Sequence, residues 1–514
     1  MEEKGEMIMN YEEVIVALDG YMWALPLILL IFGAATYFSI RFKFIQLRSL
    51  KHQIQLLFKD NDSDYGIKPI EAFCTVVAYR VGTANIAGVC VAILWGGPGA
   101  IIWMVICSIL GAAISYAECA LGQVYKIKKD GEYRGGSYYY LERGLRMKHL
   151  AKFFALLTII CVPILTVGPH ANSIALAFHT TTSVPNWITG LVVGLLLLTV
   201  VFGGIKRIGK FSTIVVPIMT GIYLLLTFMI ITMNIESVPS VVSTMISSAF
   251  GENALYGALF GQAIIWGVKR SVNSSGAGMG EAVPSAAAAE VAHPGATGLV
   301  NSMSVFIDVL VCFCTGLIVL MTDTFNVLAK DAVTYLHIGE GSEIMTEMAE
   351  KNVAGIPWTQ AAANSLIPEF GSIIIAICLL FFAFTTLLSY YYQGETALVY
   401  LLDKSSSKVR KSAILVLRLA MPFIFFFFAT STSSASWAIG SIGVGIMVWT
   451  NVIVLLIKSP EIIKVQKDYA AQRKAGIEEP VFNPQKLGIQ NADVWMEINE
   501  NKIARSSGDI RQSV

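Results

Sequence analysis

Charge is what this chain has least of. Asp, Glu, Lys and Arg make up 14% of its 514 residues, where a soluble globular domain carries about 25%. With 55% hydrophobic residues and a mean hydropathy of +0.63, that deficit excludes a water-soluble single-core protein and predicts an all-α polytopic membrane protein, with the lipid bilayer as its first partner. The net charge of +1 leaves no electrostatic footprint for nucleic acid. Catalytic signatures are missing too: there is no GxxxxGKS/T, HExxH or GxSxG, so neither an ATP-driven pump nor a membrane hydrolase has residues to stand on, and no enzyme is expected. The eight cysteines lie in or beside apolar stretches, without the paired spacing of a disulfide framework or a zinc site, and read as small buried hydrophobes. The basic start of a signal peptide is also lacking. MEEKGEM is acidic and the first apolar run, 21–40, reaches the roughly 20 residues of a retained span.

Apolar windows of spanning length fall at 21–40, 69–95, 98–124, 153–179, 186–203, 211–233, 251–268 with 281–290, 297–321, 367–401, 412–430 and 434–457, eleven transmembrane helices in all. Residues 458–514 form a polar tail with Pro460, Pro480 and Pro484, to which we assign one short helix and no function. Lys and Arg number 21 in loops 41–68, 125–152, 204–210 and 403–412, against three in the opposite set. That asymmetry predicts residues 1–20 as an external N-terminus and the tail as cytosolic, in a multi-pass protein of the cell membrane. The long acidic loop 322–366 reads as a solvated external cap.

Two spans carry polar residues at mid-depth. The first reads VVAYRVGTANIAG over 76–88, with Arg80, Gly82, Thr83 and Asn85 where polar groups are costly unless they face a bundle interior or a cavity. A helix opened at 80–85 would aim the amides of the half-helix starting near Thr83 at a carboxylate. The carbonyls released at Ala78, Arg80 and Val81 would be free for a cation, with Asn85 adding a side-chain oxygen. Alternatively, it is a kinked helix whose Gly82 and Gly88 pack closely on a neighbour. The second, KRSVNSSGAGMG over 269–280, places Asn273, Ser274, Ser275, Gly276, Ala277, Gly278 and Gly280 where no ordinary lipid-facing helix forms. With 21–40 set aside, the remaining ten spans divide into repeats at 69–233 and 251–457, each beginning with an interrupted helix. Five spans per repeat put the two in opposite orientations, and paired interruptions in inverted halves point to a secondary transporter's midplane site.

Other mid-span polar residues are more ambiguous. Thr385 and Thr386 can complete an oxygen shell for a hard cation or bond back to their own helix. Asp308 is either a cation ligand or the partner of a helix end such as Arg80. His170, after Pro169, either reaches the pocket or is a satisfied interior histidine. Glu118 and Glu395 read as bundle partners without a role.

At these residues the chain resembles the alanine/glycine:cation symporter family (sodium:alanine symporters), through RVGTANIAGVCVAI (80–93), WGGPGAIIWM (95–104), YRGGSYYYLERGL (133–145), GAGMG with AAAAEVAHPGATGLV and FIDVL (276–309), and FAFTTLLSYYYQGE (382–395). The resemblance covers about 21–457. It implies a LeuT-like five-plus-five inverted repeat with one extra N-terminal helix. It also implies Na+ (sometimes H+) as coupling ion, no cofactor, and small neutral amino acids, alanine or glycine, as substrates. It assigns Gly82, Thr83, Ala84 and Asn85 to substrate carboxylate and sodium, with His170, Ser274, Ser275, Gly276 and Gly278 lining the substrate site. One sodium would take the carbonyls of Ala78 and Val81 with the hydroxyls of Thr385 and Thr386; a second would take Asn85 with Asp308. Four positions depart from the family pattern and bear on specificity. Ala84 replaces the second glycine of GTGN, His170 stands for a glutamine, and Ser275 and Gly276 stand for the Asn and Glu of SNEAG, with Glu281 five residues on. Two further readings stay open, a transport-inactive sensor or scaffold on the same fold and an H+-coupled symporter of another small amino acid.

Overall fold

Apolar segments in lipid must satisfy their amides internally, so these become helices. The computed structural model describes residues 11–59, 65–253, 255–350, 354–368, 370–431 and 433–506; the expectation for residues 1–10 lies outside them. In chain order the principal helices are α1 (Leu25–Arg41), α2 (Pro69–Arg80), α3 (Thr83–Gly96), α4 (Gly99–Val124), α5 (Lys148–Ile160), α6 (Val167–Thr182), α7 (Asn186–Val201), α8 (Gly204–Met233), α9 (Phe260–Ser275), α10 (Ala282–Ala287), α11 (Pro294–Met321), α12 (Phe370–Leu401), α13 (Ser407–Ala429) and α14 (Ser433–Ile457). Among the described residues, nine helical stretches are long and apolar enough to cross a membrane. Of the eleven expected windows, 186–203 forms the 16-residue α7, and 251–290 is divided between α9 and the short α10. Pro163 sits in a π-turn, Cys161–Leu165, that joins α5 to α6 without ending the span.

Helix packing is patterned. The pair α4 and α11 packs face to face, as do α6 with α12 and α7 with α13; α9 packs on α4 as α11 packs on α2 and α3, and α6 meets α13 as α7 meets α12. Glycines let the first pair approach: a Cβ on Gly298 of α11 would come within 2.9 Å of Tyr116 on α4. The buried core runs continuously between these helices, while α8 and α13 turn Ile218, Leu225, Phe228, Val416 and Phe423 outward as a lipid-facing surface would require.

Three segments are more structured than the sequence suggested. Residues 11–22 form a helix that leads into α1 and brings Asp19 to Lys269, 2.5 Å apart. The 322–366 cap holds a hairpin, Asn326–Leu328 with Tyr335–Ile338, and two short helices, and the hairpin packs on α3. The tail forms two helices, Ser459–Lys474 and Val494–Ser506, in place of one. It folds back across the loops that carry most of the Lys and Arg. Trp495 is buried and donates to the Gln123 carbonyl at 3.0 Å, Tyr469 meets His52 at 2.7 Å, and His293 meets Asp468 at 3.1 Å. Its average composition is polar, but Tyr469, Phe482, Ile489, Trp495 and Ile498 are apolar and buried; a mean over the tail hides them.

Candidate substrate and cation site

The first interruption is a true break. Val81 ends α2 at φ −85°, ψ 88°, Gly82 is extended at φ −135°, ψ −156°, and α3 starts at Thr83. In a continuous helix the Gly82 N–H would donate to the Ala78 carbonyl. Here it donates to Asn85 Oδ1 at 2.8 Å, and Ala78 O receives the Thr386 hydroxyl of α12 at 2.9 Å instead. The break is held from below by Arg80, fully buried, whose guanidinium donates to Ser115 Oγ at 2.7 Å and to the Ser275 carbonyl at the end of α9.

The second interruption follows Ser275. Gly276, Gly278 and Gly280 have φ of +60°, +90° and +88°, conformations that residues with a Cβ seldom adopt. This turn points the N–H groups of Gly278 and Gly280 at Glu118 Oε2, 3.2 and 3.1 Å away, and Asn451 of α14 donates to the same oxygen at 3.3 Å and to Gly278 O at 2.9 Å. The turn also carries the chain back on itself, so that a Cβ built on Gly276 would lie 2.8 Å from Glu281 Oε2. A carboxylate thus occupies the ground beside position 276 although residue 276 is glycine.

Asn85, Ser274 and Asp308 converge between the two breaks. Asn85 Nδ2 donates to Asp308 Oδ1 at 2.6 Å and Ser274 Oγ donates to the same oxygen at 2.5 Å, while the buried Asp308 Oδ2 has no hydrogen-bond partner among the described residues. A buried acceptor left without a donor suits a cation. Of the two alternatives for Asp308, its direct contacts are these side chains and not Arg80. The Thr386 hydroxyl lies 2.9 Å from both Ala78 O and Phe382 O of its own helix, whereas Thr385 stays within its own helix, 3.0 Å from Phe381 O and Phe382 O. Val81 is buried beside them.

Thr83 and Ala84 line a small cavity with His170, Asn273, Tyr390 and Trp437. His170 Nδ1 lies 2.9 Å from Thr83 Oγ1 and its Nε2 lies 3.4 Å from the Tyr390 hydroxyl, so His170 is at the cavity and held on both sides. Ser275 and Gly278 lie in the turn behind it, bound to Arg80 and Glu118 as described. A wider vestibule opens on the cap side, lined by Trp23, Trp95, Trp266 and Lys269. Arg270 stands between Trp266 and Trp437, 5.3 and 4.8 Å from their ring centres. Sequence reasoning missed Tyr390, Trp437, Gly440 and Ser441 as cavity residues and left Glu118 without a role. The small-residue stretch SWAIGSIG in α14 was the available signal.

Two interrupted helices that enclose a small polar cavity inside an apolar bundle define a multi-pass membrane transporter. The chain matches the sodium:alanine symporter family over residues 8–484, and it belongs to that family. YrbD of Bacillus subtilis (strain 168), which carries the provisional name of a sodium/proton-dependent alanine carrier, is 41% identical over 484 residues, covering 94% of this chain and 97% of that protein. The sodium/proton-dependent alanine carrier protein of Bacillus sp. (strain PS3) is 38% identical over 443 residues, 86% of this chain and 96% of that one. Among solved structures, a manganese transporter of Eremococcus coleocola shares the fold, with a TM-score of 0.50 at 14% identity, covering 89% of this chain and 93% of that one.

Proposed function

We propose that the chain is a Na+-coupled symporter of small neutral amino acids, alanine first and glycine next, working by alternating access on a five-plus-five inverted repeat with α1 as the extra helix. The observation that carries the proposal is the pair of helix breaks meeting at Asn85, Ser274 and Asp308. The packing pairs support the repeat, because shifting each helix by one five-span unit maps α4–α11, α6–α12 and α7–α13 onto themselves and exchanges α9–α4 with α11–α3. The excess of Lys and Arg on the tail side supports a cytosolic tail and an external N-terminus.

In this reading the substrate carboxylate docks on the free amides at the start of α3, beside Thr83. Ala84, His170 and Trp437 limit the space for its side chain, which restricts the site to small amino acids. One sodium ion takes Asp308 Oδ2 with Asn85 Oδ1, and a second takes Ala78 O, Val81 O and Thr386 Oγ1, with Thr385 beside it. Each ion joins oxygen beside the first break to oxygen from another helix, α11 or α12, so it stabilises the conformation that also binds substrate. Coupling requires only that each ligand favour the state the other binds. Uptake of radiolabelled alanine and glycine into proteoliposomes tests the proposal: an inward sodium gradient should drive accumulation, and its failure to drive uptake of any small amino acid would reject it.

A further inference from the structure

Beneath the substrate cavity lies a second buried cluster that the sodium sites do not use. Arg80, Glu118 and Glu281 lie within the bundle, on three different elements, with side chains almost fully enclosed. The two carboxylates are not equally provided for. Glu118 accepts three hydrogen bonds on Oε2, from Gly278 N, Gly280 N and Asn451 Nδ2, an anion site of the kind that successive left-handed glycines build. Glu281 has no hydrogen bond among the described residues, and its Oε1 is buried without a partner. Its Oε2 faces Gly276 and the Tyr79 ring. A carboxylate ionised in such a place would be an unsolvated charge beside a second anion, which is costly; a carboxylic acid there is neutral.

We infer that Glu281 is a proton-binding site, held neutral while Glu118 remains the fixed counter-charge of Arg80, and that it makes transport proton-linked. The titratable and charged groups near enough to feel the pair's charge are Arg80 and Tyr79 of α2, Cys119 beside Glu118, Tyr140, Cys161 and Tyr390. Arg80 supplies the positive charge in this set. Tyr390 is the link to the cavity, since its hydroxyl lies 3.4 Å from His170 Nε2, His170 lines the cavity, and Tyr390 is near enough to feel the charge of Glu281. The cluster also spans the moving parts. Arg80 ties α2 to the Ser275 carbonyl, so a change in the angle between the two breaks changes how closely the guanidinium approaches Glu281. When it approaches, Glu281 loses its proton; when it withdraws, Glu281 regains one. The proton leaves as a hydrated proton through the protein and no bond other than O–H is made or broken.

The transport half of this inference rests on the proposed symport; the proton site does not. Infrared difference spectroscopy of the full chain in lipid reads the site directly. At neutral pH the wild type should show a protonated carboxyl band that Glu281→Gln removes at every pH. Glu118→Gln should remove it at neutral pH, by taking away the counter-charge of Arg80 so that ionised Glu281 is favoured in its place, and acid should restore it. In proteoliposomes without a sodium gradient, an inward proton gradient should drive alanine uptake in the wild type and roughly tenfold or more weakly in Glu281→Gln, with alanine exchange retained. A wild-type spectrum without a band lost in Glu281→Gln overturns the proton site. Proton-driven uptake equal in both proteins overturns its coupling. Absent uptake of alanine in both, with the band present, counts against alanine as substrate and leaves the proton site standing.

Discussion

Replacing Asn85 with alanine tests the junction between the two breaks. Asn85 does two things at once: its Oδ1 accepts the Gly82 N–H at 2.8 Å, and its Nδ2 donates to Asp308 Oδ1 at 2.6 Å. Asn85→Ala loses both, leaving Asp308 with Ser274 as its donor and Gly82 with an unanswered N–H. A hydrogen bond to a charged group contributes about 1.5–3 kcal/mol. If that loss falls on the sodium-bound state, affinity drops roughly 10- to 100-fold. The assay is the sodium concentration giving half-maximal alanine uptake, read with Asp308→Asn and the double variant beside it. Because Asn85 and Asp308 share one site, their effects should be strongly non-additive, with a coupling of about 0.5–3 kcal/mol. Unchanged sodium dependence in Asn85→Ala, or simple additivity in the double variant, would refute the assignment.

The other expectations are narrower. Gly82→Ala places a Cβ 2.9 Å from Thr386 Oγ1 and 3.0 Å from His170 Cε1; pushing the Thr386 hydroxyl off the second sodium at a cost of about 1 kcal/mol should raise half-saturation by sodium roughly fivefold. Trp495→Ala removes a fully buried ring from the tail and its bond to Gln123 O; a loss of about 3–5 kcal/mol should appear as tail cleavage in limited proteolysis and a lower melting temperature in detergent. The hydrogen bond from His293 holds the Asp468 carboxyl below its usual value of 3.8. A depressed carboxylate stabilises the fold above its unfolded pKa and loses that contribution as pH falls through the folded one. Tail protection should therefore weaken on acidification below about pH 4, and Asp468→Asn should weaken it at neutral pH.

Much of the site was legible because bilayers penalise polar groups. Arg80, Asn85 and Asp308 stand out in apolar runs, and a glycine-rich stretch such as 276–280 has no other use at that depth. What stayed hidden depended on folding back. Glu281 lies five residues past Gly276 in the sequence, and three left-handed glycines return it to Gly276. Tyr390 and Ser441 reach the cavity only because α12 and α14 close around α6, which periodicity does not report. Thr385 and Thr386 are neighbours of one kind in sequence, and both reach carbonyls of their own helix, but one helical step of about 100° brings the second within reach of Ala78 as well. The tail misled for the opposite reason, since a few buried aromatic residues decide its path against a polar average.

Joint binding of cation and amino acid at the two helix breaks is the centre of the proposed mechanism. Its most direct test is isothermal titration of alanine into the purified chain in sodium and in choline, with Asn85→Ala measured in parallel. Binding should tighten with sodium in the wild type and lose that dependence in the variant. Alanine binding indifferent to sodium, or a dependence that survives in Asn85→Ala, would contradict it.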